Sequence, residues 1–303
     1  MVEVTVTLGP LELRSPLIAA SGTVGSVVDF AAVGALETYG AAVAKSVSAD
    51  PWSGRSVPRM APAGVGMLNG IGIQNPGIGA WAAQVADRIP ALGVPVWGSA
   101  VGESVEEFAQ VAKGLEAAGV QAVEVNLSCP NLESGTMFAL DPDASGRVVA
   151  SVRSAVGIPV GAKLSPNADS IVAVASAAAD AGADWVVLTN TVMGFGIDVE
   201  TRRPLLSGGS GGYSGLPIKP IVMRCVWDVH HAIPSLPIVG CGGVSRGIDV
   251  VEYLMAGASA VALGTVHFAE PRAGKRVLRE LERWCRAHDV GRVSDLSGTG
   301  VSW

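Results

Sequence analysis

The sequence predicts a single (β/α)8 barrel spanning residues 1–303. Three observations point there. Short apolar, β-branched runs recur along the chain. Amphipathic stretches with helical spacing separate most of them. Polar residues collect where the runs end.

The chain opens on MVEVTVTLGPLELRSP, whose alternation predicts an N-terminal β-hairpin. Eight apolar runs follow, at 16–21, 41–47, 94–100, 122–127, 159–164, 185–190, 237–241 and 260–264. Continuous apolarity fits strands buried on both faces of a parallel sheet. Between them, residues 104–118 place Val105, Phe108, Val111 and Leu115 on one helical face, with Glu103 and Ser104 at the start and Gly119 beyond the end. Residues 143–156, 168–181, 218–232, 246–256 and 273–287 read as helices too. The segments 48–80 and 191–217 are longer, polar and glycine-rich, and are expected to lie over one mouth of the barrel as lids. A doubly wound open sheet is the structural alternative. It lacks the G-x-G-x-x-G turn after the first strand that such a fold commonly carries.

Composition narrows the function. Hydrophobic residues make up 49% of the chain and charged residues 16%, enough to build a large core. A formal net charge of −6 with no basic block argues against nucleic acid as a partner. No apolar stretch reads as a membrane span and no signal peptide is evident, so a cytoplasmic protein is expected. Cys129, Cys225, Cys241 and Cys285 form no C-x-x-C pair, and no metal site is expected.

The chemistry of a (β/α)8 barrel sits at the C-terminal ends of its strands. Lys45 and Ser46 end the second run, Asn126, Ser128 and Cys129 the fourth, Lys163 the fifth, Asn190 and Thr191 the sixth. Gly242 and Gly243 follow the seventh, Gly264 and Thr265 the eighth. Glycines there fit a phosphate cradle, since backbone N–H groups can approach an anion closely, though a tight turn explains them equally well. Two lysines near a phosphate suit a cofactor that gains negative charge, such as a reduced flavin. Lys163 could instead form a Schiff base, as in barrel aldolases. Cys129 leaves its strand in NLSCPN, flanked by two asparagines and stopped by Pro130. A thiol placed there can serve as a general base, and the asparagines suit an imide-like ring edge.

These segments resemble the class 1 dihydroorotate dehydrogenases, above all the subtype B catalytic subunit. The likeness runs through LGPLELRSPLIAASGT at 8–23, AKSVS at 44–48, GMLNGIGIQNPG at 66–77, VEVNLSCPN at 123–131, AKLSPN at 162–167, the glycine-rich stretch 188–215 and the segment 240–265. The resemblance implies one flavin mononucleotide (FMN) per chain. Ser21, Lys45, Ser46, Ser99, Asn126, Lys163, Thr189, Gly215, Gly242, Gly243, Gly264 and Thr265 would contact it. Dihydroorotate would be held by Lys45, Asn69, Asn126, Asn131, Asn190 and Thr191 and by the backbone of Gly70, Ile71, Gly72 and Ile73. Cys129 would take the C5 proton as hydride leaves C6, giving orotate in pyrimidine biosynthesis. The resemblance further implies a homodimer and a separate subunit, carrying FAD and a 2Fe-2S cluster, that passes electrons to NAD.

Some positions depart from the pattern. Ser99 stands where asparagine is common, Phe138-Ala139-Leu140 replaces Ala-Phe-Gly, and Cys241 stands in place of methionine. A dihydropyrimidine dehydrogenase acting on dihydrouracil or dihydrothymine is the nearest rival. Its relatives carry histidine after Cys-Pro, where this chain has Asn131. The final acceptor, whether NAD, fumarate or another oxidant, stays open. An aldolase would leave Cys129 and the asparagines idle, and a non-catalytic binding barrel explains little of the constellation.

Overall fold

The computed structural model describes residues 2–127 and 138–300. Eight parallel strands close into a barrel in chain order: β1 (Leu17–Ala19), β2 (Ala41–Val43), β3 (Val96–Ala100), β4 (Ala122–Asn126), β5 (Val160–Lys163), β6 (Trp185–Leu188), β7 (Ile238–Cys241) and β8 (Ala260–Leu263), which returns to pair with β1. Every run expected to form a strand does so, within bounds trimmed at the ends. The helices are α1 (Ile78–Val85), α2 (Val105–Ala117), α3 (Pro142–Ala155), α4 (Ile171–Asp180), α5 (Lys219–Ala232), α6 (Gly247–Met255), α7 (Val266–Ala269) and α8 (Ala273–Ala287). Six of these match the helices expected from the sequence, while α1 and the short α7 were not anticipated.

Local chemistry sets the helix starts. Ser104 accepts a hydrogen bond from the Glu107 N–H at 3.2 Å, and Ser170 does the same for Ala173 at 3.2 Å. Asp141 caps α3 through the N–H groups of Asp143 and Ala144, with Pro142 in the first turn where its missing N–H costs nothing. Between β1 and β2 the chain forms only two 3-10 turns, Phe30–Ala32 and Leu36–Thr38. A Cβ on Gly34 would lie 2.2 Å from the Phe30 ring, so glycine there lets the aromatic fold back into the core.

Alternation along the strands divides inside from outside. A Cβ on Gly98 would meet Leu115 of α2, so that position faces the helical shell. Its neighbour Trp97 turns inward and meets Trp185 of β6, with ring centroids 4.9 Å apart. A Cβ on Gly161 would sit 2.3 Å from the Trp185 ring, so this glycine makes room for an indole that fills the lower barrel. The hairpin Val6–Leu8 and Leu11–Leu13 lies against the opposite end from the strand C-termini, where its turn residue Gly9 (φ +55°) approaches the Asp184 carbonyl just ahead of β6.

The two lid segments do more than cover the mouth. Met60–Ala63, Gly66–Asn69, Gly211–Gly215 and Val192–Gly194 join, in that spatial order, into one antiparallel sheet. Ala61, Leu68 and Leu206 form a small core of their own under it. Asn75 organises the approach to this roof. Its side chain accepts from the N–H groups of Ser48 and Gly77 and donates to the Ile73 carbonyl. These bonds hold Ile73 at φ +47°, a strained backbone for a β-branched residue.

Candidate active site

A cavity of about 430 Å³ lies between the C-terminal ends of the barrel strands and the roof sheet. Its floor carries a polar network. Glu124 of β4 and Lys163 of β5 point into the barrel, almost fully buried, with Lys163 Nζ 3.8 Å from Glu124 Oε1. Ser21, just past β1, links them: its hydroxyl donates to Glu124 Oε1 at 2.9 Å and accepts from Lys163 Nζ at 3.3 Å. Burial opposes the ammonium, but the Glu124 carboxylate outweighs it, so the Lys163 pKa lies above the ordinary lysine value. Cys241 beside them is pushed up by burial and stays a thiol.

A second chain of hydrogen bonds crosses the floor. Asn190 Nδ2 donates to Asn126 Oδ1 at 3.3 Å, and Asn126 Nδ2 donates to Ser46 Oγ at 3.1 Å. Ser46 Oγ lies 2.8 Å from Ser99 Oγ. Asn190 Oδ1 also accepts from the Thr191 N–H at 2.8 Å. This network fixes which way the amide groups turn before any ligand arrives.

At the far end of the cavity the loops after β7 and β8 face each other. Gly243, Val244, Thr265 and Val266 line it, and their backbone N–H groups have no hydrogen-bond partner among the described residues. The next donors along the β7 loop are already used. Asp249 Oδ2 accepts from the N–H groups of Ser245 and Arg246, and Glu280 accepts from that of Gly247. Burial disfavours the Asp249 carboxylate, but Lys219 at 2.6 Å and these backbone donors outweigh it and hold its pKa below the ordinary range. The four unpaired amides therefore form the remaining anion cradle. Gly243 has φ +69°, and a Cβ there would lie 2.6 Å from Lys219 Cβ, so only glycine fits.

Comparison with known proteins agrees with this arrangement. The family profile described as dihydroorotate dehydrogenase matches residues 3–284. The chain belongs to the dihydroorotate dehydrogenase family. A relative from Pelobacter propionicus, named dihydroorotate dehydrogenase B (NAD(+)), catalytic subunit, is 43% identical over 98% of both chains. Proteins of the same name from Geobacter sp. strain M21 and Desulforudis audaxviator are 41% and 40% identical, over 98% of this chain and 97% of theirs. A crystal structure of the Eimeria tenella DHODH in complex with ferulenol superposes with a TM-score of 0.83 at 19% identity, covering 98% of this chain and 88% of that one, and so shares the fold.

In this member of the dihydroorotate dehydrogenase family most of the residues expected at the site line the cavity. They are Ser21, Lys45, Ser46, Asn126, Lys163, Thr189, Asn190 and Thr191 on the floor, Asn69, Ile71, Gly72, Ile73 and Gly215 under the roof, and Gly242, Gly243, Gly264 and Thr265 at the cradle. Two do not. Ser99 is fully buried behind Ser46 and reaches the cavity only through that hydroxyl, because its short side chain stops one residue short of the wall. Gly70 points away from the cavity wall and spends its N–H on the Arg59 carbonyl at 2.8 Å. Cys129, Ser128 and Asn131 lie outside the described residues. Phe138 and Ala139 are buried, with the Phe138 ring edge-on to Phe108 at 5.7 Å.

Sequence reasoning missed Glu124, although a carboxylate inside the apolar run AVEVN is the signal that marks it. It also missed the second layer behind the cradle, Asp249, Tyr253 and His267. Tyr253 donates to the Gly242 carbonyl at 2.6 Å. Nothing in their local sequence distinguishes these residues from helix surface. Among the described residues no helix is long and apolar enough to cross a membrane.

Proposed function

We propose that this chain is an FMN enzyme of the cytoplasm that oxidises dihydroorotate to orotate, works as a homodimer, and passes electrons to NAD through a separate subunit carrying FAD and a 2Fe-2S cluster. The observation that carries the reading is one cavity with an anion cradle at one end and buried lysine and amide side chains at the other. The residues fit a phosphorylated ring cofactor. Unpaired amides suit its phosphate, and the roof sheet and barrel floor bound a slot for the rings. Bound there, the flavin supplies the two-electron acceptor.

The chain's own residues supply the rest. The N–H groups of Gly243, Val244, Thr265 and Val266 bind the phosphate. Lys163, pinned by Glu124 and Ser21, holds a fixed positive charge at the floor. Asn69, Asn126, Asn190 and Thr191 offer paired donors and acceptors to the imide edge of a pyrimidine. Lys45 pairs the substrate carboxylate, and Cys129 removes the C5 proton. The roof sheet excludes water from the reacting face. The raised pKa of Lys163 weighs against a Schiff-base aldolase, which needs a neutral amine as nucleophile.

Two measurements test this reading. Denaturing the purified protein should release FMN. Under anaerobic stopped flow, dihydroorotate should reduce the chromophore far faster than dihydrouracil, because a site built for a carboxylate leaves its own groups unpaired when that carboxylate is missing. Equal rates would move the assignment to a dihydropyrimidine dehydrogenase. The chain alone should not reduce NAD efficiently, and copurification from the native host should bring down an iron–sulfur flavoprotein.

A further inference from the structure

Behind the anion cradle, on the side away from the cavity, three distant segments meet at His267. The imidazole is 2% exposed. Its Nδ1 lies 2.9 Å from Thr23 Oγ1 and its Nε2 lies 2.8 Å from Tyr39 Oη. Thr23 gives its single hydroxyl proton to the Ala20 carbonyl at 2.9 Å, so toward His267 it offers only lone pairs. The proton of the ring therefore sits on Nδ1, and Nε2 accepts from the Tyr39 hydroxyl. One neutral tautomer satisfies every group in the chain of bonds. Burial favours that neutral form and takes the His267 pKa down to about 4.

The Thr23 end of this chain touches the cradle, and so does the His267 backbone. The His267 N–H donates to the Gly264 carbonyl at 2.9 Å, closing the turn that presents the N–H groups of Thr265 and Val266. Thr23 lines the cavity beside Gly264, and Val266 and Phe268 line it while His267 between them does not. On the other side, glycine at 274 leaves room for Tyr39, since a Cβ there would lie 2.4 Å from Tyr39 Cζ. Phe30 packs on the same imidazole with centroids 5.2 Å apart.

We infer that His267 is a positioning residue for the phosphate end of the cofactor: by bonding Thr23 and Tyr39 at once, it holds the loops after β1 and β8 at the spacing a phosphate requires. The inference rests on the FMN reading above. It assigns His267 no contact with the ligand, only the orientation of the amides that make one.

Riboflavin, which lacks the phosphate, separates this role from a general structural one. Apoprotein is titrated with FMN and with riboflavin for the wild type, His267→Phe, His267→Asn and Tyr39→Phe. His267→Phe should weaken FMN by about tenfold or more, the scale of one lost hydrogen bond to a charged group, and leave riboflavin nearly unchanged. His267→Asn, which keeps a donor toward Thr23, should recover part of the preference for FMN. Tyr39→Phe is remote from the cavity and nearly isosteric. It should shift the preference in the same direction by a smaller factor, and it stands in if His267→Phe does not fold. An FMN-over-riboflavin preference equal to that of the wild type in His267→Phe, or in Tyr39→Phe where His267→Phe does not fold, would overturn the inference. A wild-type protein that binds FMN no better than riboflavin would instead overturn the FMN reading itself.

Discussion

At the scale of single residues, the proposed chemistry turns on a base outside the described residues and an ion pair beneath the cavity. A free thiol has a pKa of about 8.5 and a serine hydroxyl is a far weaker acid, so in Cys129→Ser anaerobic flavin reduction by dihydroorotate should slow by roughly 10²-fold or more with flavin content retained. Cys225→Ser and Cys285→Ser, on α5 and α8, should leave that rate unchanged, and wild-type reduction should quicken as pH rises toward the thiol's pKa. Glu124→Gln leaves the buried Lys163 ammonium without its carboxylate. Removing one member of a buried pair costs about 3–5 kcal/mol, which urea unfolding would read directly. A variant as stable as the wild type would show that the pair is not holding charge in the barrel. Most of the residues lining the cavity were legible in the sequence, because polar side chains at the ends of apolar strands stand out. Glu124 was missed within its apolar run. Tyr39 and His267 were not legible, because their meaning depends on partners 228 residues apart.

At the scale of elements, all eight barrel strands and six helices were readable, since burial on two faces or on one stripe imprints a period on the chain. The roof sheet was not. Its strands are only three to five residues long, and the pairing that unites them, Gly66–Asn69 with Gly211–Gly215, joins two loops far apart in the sequence. Gly212 shows how tightly they meet. A Cβ there would lie 2.0 Å from Thr191 Oγ1, and Thr191 lines the cavity. Gly212→Ala should therefore force the roof away from the floor. Orotate affinity, measured by the spectral change of bound flavin, should fall about tenfold or more, as when a buried polar contact is lost. The barrel's thermal midpoint should move little. Unaltered orotate binding would mean that the roof tolerates the displacement.

At the scale of the whole molecule, acid should act through His267 before it reaches the carboxylates. The unfolded imidazole takes up a proton near pH 6.5, and the folded one only near pH 4. Between those values the unfolded chain binds more protons, so stability rises with pH across this window. Acidification from pH 7 to 4 should remove about 3 kcal/mol, and His267→Asn should flatten that part of the profile. Asp249, whose folded pKa is lowered, contributes stability that is lost only at still lower pH, as the folded carboxylate protonates. A urea-midpoint series across pH separates the two. The barrel as a whole was legible because strand count, spacing and strand-end polarity all agreed. The roof sheet joins Asn69 to Gly212, 143 positions later, and this sets an order of events during synthesis. A growing chain can lay down the hairpin Met60–Asn69 early, but that hairpin has no neighbour until residue 215 has left the ribosome. Protease applied to stalled chains should cut between residues 48 and 77 in every chain stopped before that point and spare the segment in longer ones. The part of the enzyme that shelters its substrate would thus be among the last to close, and a chain that stops early would hold a floor with nothing above it.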